Sequence, residues 1–225
     1  MADPETRSTP VTIHPWLVRA THWINALAVL AMVMSGWRIY NASPLFNFRF
    51  PKDITLGGWL GGALQWHFAM MWLLAINGLI YLLYSIVFGH FRKDLTPISV
   101  KGLRDDIEQS FSFKLKHEPG VYNTVQRAAY VGVIVIVMLL VASGLAIWKP
   151  VQLQELAWVM GGYEGARLVH FFAMSLLVTF VAIHVLMVLV VPSTLLSMIT
   201  GKARTPVAPP TPPANHPSTE AGDAL

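Results

Sequence analysis

The chain has 225 residues, of which 54% are hydrophobic and 12% charged, and its mean hydropathy is +0.52. That is too apolar and too sparsely charged for a typical soluble domain, and one helical membrane domain accounts for the length. The sequence contains no cysteine, which excludes disulfides, iron–sulfur clusters, thiolate-bound zinc and covalent haem attachment, and the net charge of +4 suits basic cytoplasmic loops and is no nucleic-acid signal.

In chain order, four apolar spans can be read: residues 20–40, 64–88, 127–148 and 167–191, the last stopping at Pro192. Each is close to the ~20 residues a spanning helix needs, which predicts an all-α membrane protein, a four-helix transmembrane bundle. The first span is long, is followed by others and lacks a small-residue cleavage site, so it reads as an anchor rather than a signal peptide. Residues 41–63 form a first loop whose LGGWLGGAL reads as a short interfacial helix or a turn. Residues 89–126 form a loop of mixed charge, expected on the membrane surface. Residues 202–225 are rich in Pro, Ala and Thr and read as disordered, so the membrane domain is placed at 1–200 and the tail at 201–225. No internal repeat is evident.

Charge sets the expected orientation. With the N-terminus inside, the inner segments carry Arg7, Arg19, Arg92, Lys93, Lys101, Arg104, Lys114, Lys116, Arg127, Lys202 and Arg204, and the outer ones carry Arg38, Arg49, Lys52, Lys149 and Arg167. The excess of inner cations places both termini in the cytoplasm. Trp16, Trp23, Trp37, Trp59, Trp66, Trp148 and Trp158 cluster near the span ends, as an aromatic belt does.

Four histidines stand at or near span ends: His22, His67, His170 and His184. His170 and His184 share one span, and their separation is roughly 21 Å along a helix and within about 40° of one face. A bilayer core is about 30 Å thick, so one helix offers an imidazole near each membrane surface. That spacing suits two haems stacked across a membrane. In the orientation above, His22 and His184 fall at the inner level, and His67 and His170 at the outer. The topology comes from Lys and Arg alone, so this sorting is an independent check on it. Two imidazoles per iron leave no open position, which suits electron transfer and not oxygen binding. Taken singly, each histidine is equally an interfacial or interhelical hydrogen-bonding group; the matched set points to non-covalent b haem. His14, His90, His117 and His216 lie outside the spans and read as surface residues.

Glycines and arginines flank these positions. Gly36 lies near the face of His22 at the outer level, Gly78 lies below His67, and Gly132 and Gly144 mark the two ends of the third span. A flat porphyrin needs missing side chains where it presses on a helix, and small residues equally serve helix packing. Arg19, Arg38, Arg127 and Arg167 are placed to pair with haem propionates or to snorkel at the interface.

The segment RATHWINA, with Arg19, His22 and Trp23, resembles the first-helix motif of bacterial di-haem cytochrome b subunits of nickel–iron hydrogenases, formate dehydrogenases and thiosulfate reductases, often grouped with prokaryotic cytochrome b561. QWHF, with His67, resembles their second-helix ligand, and RLVH with the later His184 resembles their last helix. The resemblance covers about residues 12–200. It implies an electron-transfer subunit, not an enzyme on its own, in the bacterial inner membrane. Two non-covalent b haems would link an exchangeable quinone to a periplasmic redox protein. SGWRIYNASP and SGLAIWKPVQ look most like the branch that accompanies molybdopterin-dependent partners. The quinone site is expected near the inner haem, at the His184 end and the start of the 89–126 loop. The expected docking segments are 41–63 and 149–166, with Trp59, Trp158 and Tyr163. Two rivals remain: a histidine-lined metal or proton transporter, and a structural anchor with incidental histidines. Transporters place polar groups near the midplane, whereas these histidines lie near the surfaces.

Overall fold

The structure, a computed structural model, describes residues 8–87 and 124–206; at 8–11, 124–128, 130 and 203–206 it describes the backbone alone. Four helices are long and apolar enough to cross a bilayer. They are α1 (Trp16–Ala42), α2 (Leu60–Val87), α3 (Thr124–Trp148) and, after the short α4 (Gln154–Val159), α5 (Gly162–Val190). A nine-residue α6 (Pro192–Thr200) follows. The helices begin up to five residues before the apolar spans. Their first turns hold Gly, Gln or Arg, which hydropathy rejects but which suit the headgroup region. In a bilayer each backbone group must be paired within the helix. The hydroxyls follow the same rule: Ser35, Ser143 and Ser175 donate to the carbonyls four residues back, at 2.7, 2.6 and 2.9 Å.

The element boundaries have local causes. Pro15, in an extended conformation, precedes α1, and Pro192 opens α6 at its first turn, where a missing N–H costs nothing. The glycine-rich stretch of the first loop is a turn followed by helix. Gly57 has φ +102°, and a side chain there would overlap the Ala63 backbone. Gly201, at φ +79°, closes α6 with its N–H on the Ser197 carbonyl at 2.8 Å.

The helices associate in two pairs, α1 with α2 and α3 with α5. Small side chains make the close approaches: Ala28, Ala63, Ala146 and Ala166 are completely buried, as are Ser35 and Ser143. Large apolar side chains face outward, for example Leu27, Trp72, Ile183 and Leu189, as lipid contact requires. The largest fully buried side chains among the described residues are serines. A soluble four-helix bundle would fill its interior with Leu, Ile and Val; here the interior is left to something other than bulky side chains.

A short two-stranded ribbon accompanies the helices of this all-α fold. β1 (Ser8–Thr12) pairs antiparallel with β2 (Lys202–Pro206), from Ser8 opposite Pro206 to Thr12 opposite Lys202. The tail expected to be disordered from residue 201 therefore begins with a strand, and its remainder, 207–225, lies outside the described residues. The pairing brings residues 8–12 and 202–206 together at one end of the bundle, called here the terminal end; the opposite end is the loop end. The 89–126 loop lies almost wholly outside the described residues.

Candidate cofactor site: two facing histidine pairs

Between the two helix pairs the described residues meet through rings. At the terminal end His22 of α1 faces His184 of α5, with centroids 6.2 Å apart and planes at 62°. At the loop end His67 of α2 faces His170 of α5, at 6.5 Å and 64°. The structure thus gathers the four histidines into two pairs, one at each end of α5.

The loop-end pair is closely supported. His67 Nδ1 lies 3.1 Å from the Met32 carbonyl and 3.1 Å from Ser35 Oγ. A carbonyl only accepts, so Nδ1 carries the proton and donates. The Ser35 hydroxyl donates to the Ala31 carbonyl, so its oxygen is free to accept from His67. His170 repeats the serine contact: Nδ1 lies 3.0 Å from Ser143 Oγ, whose hydroxyl donates to the Leu139 carbonyl. Both loop-end imidazoles therefore hold their Nε2 lone pairs available as ligands. Beside each serine is a glycine that makes room for the ring. A Cβ on Gly36 would stand 3.5 Å from His67 Cε1, and one on Gly144 would stand 3.4 Å from His170 Cε1. On the opposing helices, buried Ala63 and Ala166 precede His67 and His170 by one helical turn. The structure thus reveals a repeated unit that the sequence hides, because only a few positions in each half carry it.

The terminal-end pair is built differently. His22 meets Trp23 edge-on at 5.4 Å, and Phe180 stacks on His184 at 6.2 Å. Gly78 and Gly132 meet nothing within 4 Å of a would-be Cβ. At this level buried Asn77 ties α2 to α1, donating to the Thr21 carbonyl at 2.8 Å and to Asn25 Oδ1 at 2.6 Å.

The arginines take other positions. Arg19 donates to the Ile199 carbonyl and packs against Gly201, clasping the end of α6 to α1. Arg167 donates to the Ser43 carbonyl and to Glu164 at 2.8 Å, tying the start of α5 to the end of α1. Arg38 stands about 200° round α1 from Gly36, where it lines a cavity of about 260 Å³ with Asn41, Arg49 and Lys52. Arg127 lies near the start of α3, and its side chain lies outside the described residues.

Sequence reasoning passed over two features. One is the serine pair. The other is Phe46, Phe48 and Phe50, which fold with Tyr40 over Phe171 of α5 beside the loop-end pair. The Asn41 side chain fixes this segment by exchanging two 2.8 Å hydrogen bonds with the Phe50 backbone. The alternation F-x-F-x-F was the available signal, since it puts three rings on one face of an extended segment.

The spacings can be tested against chemistry. Two imidazole nitrogens bound at about 2 Å to one metal, each about 1.2 Å from its ring centre, put the centroids about 6.4 Å apart. The observed 6.2 and 6.5 Å agree. Two protein donors do not by themselves hold a metal, and no group of three or more His, Cys, Asp or Glu gathers among the described residues. A macrocycle that brings its own donors fits this set.

Comparison with known proteins agrees. The family model described as prokaryotic cytochrome b561 matches residues 13–201. The chain belongs to the prokaryotic cytochrome b561 family. A relative from Azospira oryzae, named as a putative protein-methionine-sulfoxide reductase subunit YedZ1, is 54% identical over 190 residues, covering 84% of this chain and 96% of its own length. As a cytochrome b561 family member, the chain is a multi-pass protein of the bacterial inner membrane that binds haem b. It is an electron-transfer subunit of an oxidoreductase complex and not a catalyst by itself.

Proposed function

We propose that this cytochrome carries two b haems, one ligated by His22 and His184 and the other by His67 and His170, and passes electrons from a membrane quinol to a redox protein docked at the loop end. The observation that carries the proposal is the pair of ring spacings, each that of two imidazoles sharing one iron. Haem held by these histidines would supply a one-electron carrier, and two imidazoles per iron would leave no open position for other ligands. The chain's own residues do the rest. Ser35, Ser143 and the neighbouring carbonyls hold the ligand rings, and Gly36 and Gly144 face them.

The charge asymmetry supports placing the loop end in the periplasm and both termini in the cytoplasm. Trp59, Trp158 and Tyr163 are exposed at the loop end, and such aromatic surfaces suit docking. The partner is read as molybdopterin-dependent from the resemblance at SGWRIYNASP and SGLAIWKPVQ. The relative's name points to reduction of protein methionine sulfoxide, which sets electron flow outward, from quinol through the terminal-end haem. The His184 end and the start of the 89–126 loop are the candidate quinone region. A metal transporter is disfavoured by the absence, among the described residues, of any cluster of three donors. Asp and Glu are also absent from the four long helices beyond Glu164 in the first turn of α5.

A pyridine haemochrome assay on purified protein tests the reading. Two non-covalent haems per chain are expected. His22→Ala and His184→Ala should each remove the same haem, and His67→Ala and His170→Ala the other. A single haem, or loss of different haems by His22→Ala and His184→Ala, would overturn the scheme.

A further inference from the structure

The two histidine pairs differ in one chemical respect. Both loop-end rings hydrogen-bond through Nδ1 to a buried serine oxygen, at 3.1 and 3.0 Å. The terminal-end rings, His22 and His184, meet each other, Trp23 and Phe180 through their faces and edges, and no hydrogen bond to either ring stands among the described residues. The serines are in neither case incidental. Ser-Gly occurs at two places in the sequence, 35–36 and 143–144, on two different helices. At both, the serine is completely buried and bonds a histidine of the paired helix, and the glycine faces the same ring.

We infer that Ser35 and Ser143 are positioning residues that fix the ring orientation of His67 and His170 and lower the reduction potential of the loop-end haem relative to its value without them. The inference rests on the proposed ligation. Its chemistry is direct. Each hydroxyl proton is committed to a carbonyl of its own helix, Ala31 or Leu139. The serine oxygen is left as an acceptor pointed at Nδ1–H. Drawing on that proton makes the imidazole more basic at Nε2, and a more basic ligand favours the ferric over the ferrous state. The bond also fixes the ring against rotation about Cβ–Cγ, and the glycine beside it keeps side chains larger than a methyl out of that space. A carbonyl one helical turn back, that of Met32, shares the same His67 proton at 3.1 Å, so losing the serine weakens the acceptor set without abolishing it.

The test is a redox titration of purified holoprotein, with the loop-end haem identified as the one that His67→Ala removes. Ser35→Ala and Ser143→Ala should keep two haems per chain, move the loop-end midpoint potential to more positive values and leave the terminal-end haem where it was. The double variant should shift further than either single one. If an alanine variant fails to keep its haem, Ser→Cys and Ser→Thr at the same position decide the matter. Cysteine keeps the volume with a weak acceptor and should shift the potential; threonine keeps the hydroxyl and should not. An unchanged loop-end potential in a haem-replete alanine or cysteine variant overturns the inference while leaving the proposed ligation standing. Failure of the ligation itself would show first as a haem content other than two, or as His67→Ala retaining both haems.

Discussion

Gly36 and Gly144 offer a graded test of how closely the loop-end rings are held. A Cβ at Gly36 would stand 3.5 Å from His67 Cε1 and 3.8 Å from Nδ1, and one at Gly144 would stand 3.4 and 3.8 Å from the same atoms of His170. Carbon atoms are at optimal separation at about 3.5–4.0 Å, so alanine fills the contact without moving the ring. In an ordinary helix that replacement gains up to about 1 kcal/mol in propensity. A γ carbon lies about 1.5 Å beyond Cβ, so a larger side chain aimed at the ring comes within about 2 Å of it and must push it back by roughly 1.5 Å. Ligand distances tolerate only about 0.2 Å. Gly36→Ala and Gly144→Ala should therefore keep both haems, whereas Gly36→Leu and Gly144→Leu should lose the loop-end haem and retain the other. Haem content and redox titration of the purified variants measure this directly. Gly36→Leu with two haems at full occupancy and unchanged potentials would refute the packing argument.

Two further outcomes are expected. Asn77→Leu removes two hydrogen bonds between α1 and α2 and should lower stability by about 1 kcal/mol, read as a fall of a few degrees in the thermal midpoint of the detergent-solubilised protein; an unchanged midpoint would show that the bridge is not needed. Trp158→Asp should slow electron exchange with the partner while leaving both haem spectra intact, since Trp158 is 78% exposed on α4. It is a cleaner probe than Tyr163, whose ring lies under Arg167 at 5.9 Å, and partner-linked kinetics equal to wild type would place the docking surface elsewhere.

Much of this protein was legible along the chain. Four runs of the right length, with almost no charge inside them, require helices, because a bilayer allows no unpaired backbone. The spacing of His170 and His184 follows from the rise and turn of one helix, so their levels and shared face could be read without a neighbour. The levels of His22 and His67 follow from the span ends at which they stand, with the charge bias giving the orientation. The motif around Arg19 and His22, with those of His67 and His170, was enough for the family.

Which groups touch was decided only by the tertiary structure. Helical periodicity gives a residue's height and direction on its own helix, but contact across helices depends on how each is rotated about its axis. That rotation is set by where small side chains such as Ala28, Ala63 and Ala166 allow close approach. Gly36 and Gly144 were thereby turned toward imidazoles while Gly78 and Gly132 were not. Ser35 and Ser143, ordinary hydroxyls in an apolar run, became hydrogen-bond partners of His67 and His170. The arginines show the same limit. Their position near span ends suited either of two roles, and only the fold gave Arg19 the end of α6, Arg167 the end of α1, and Arg38 a cavity on the far side of its helix from the ring that Gly36 faces.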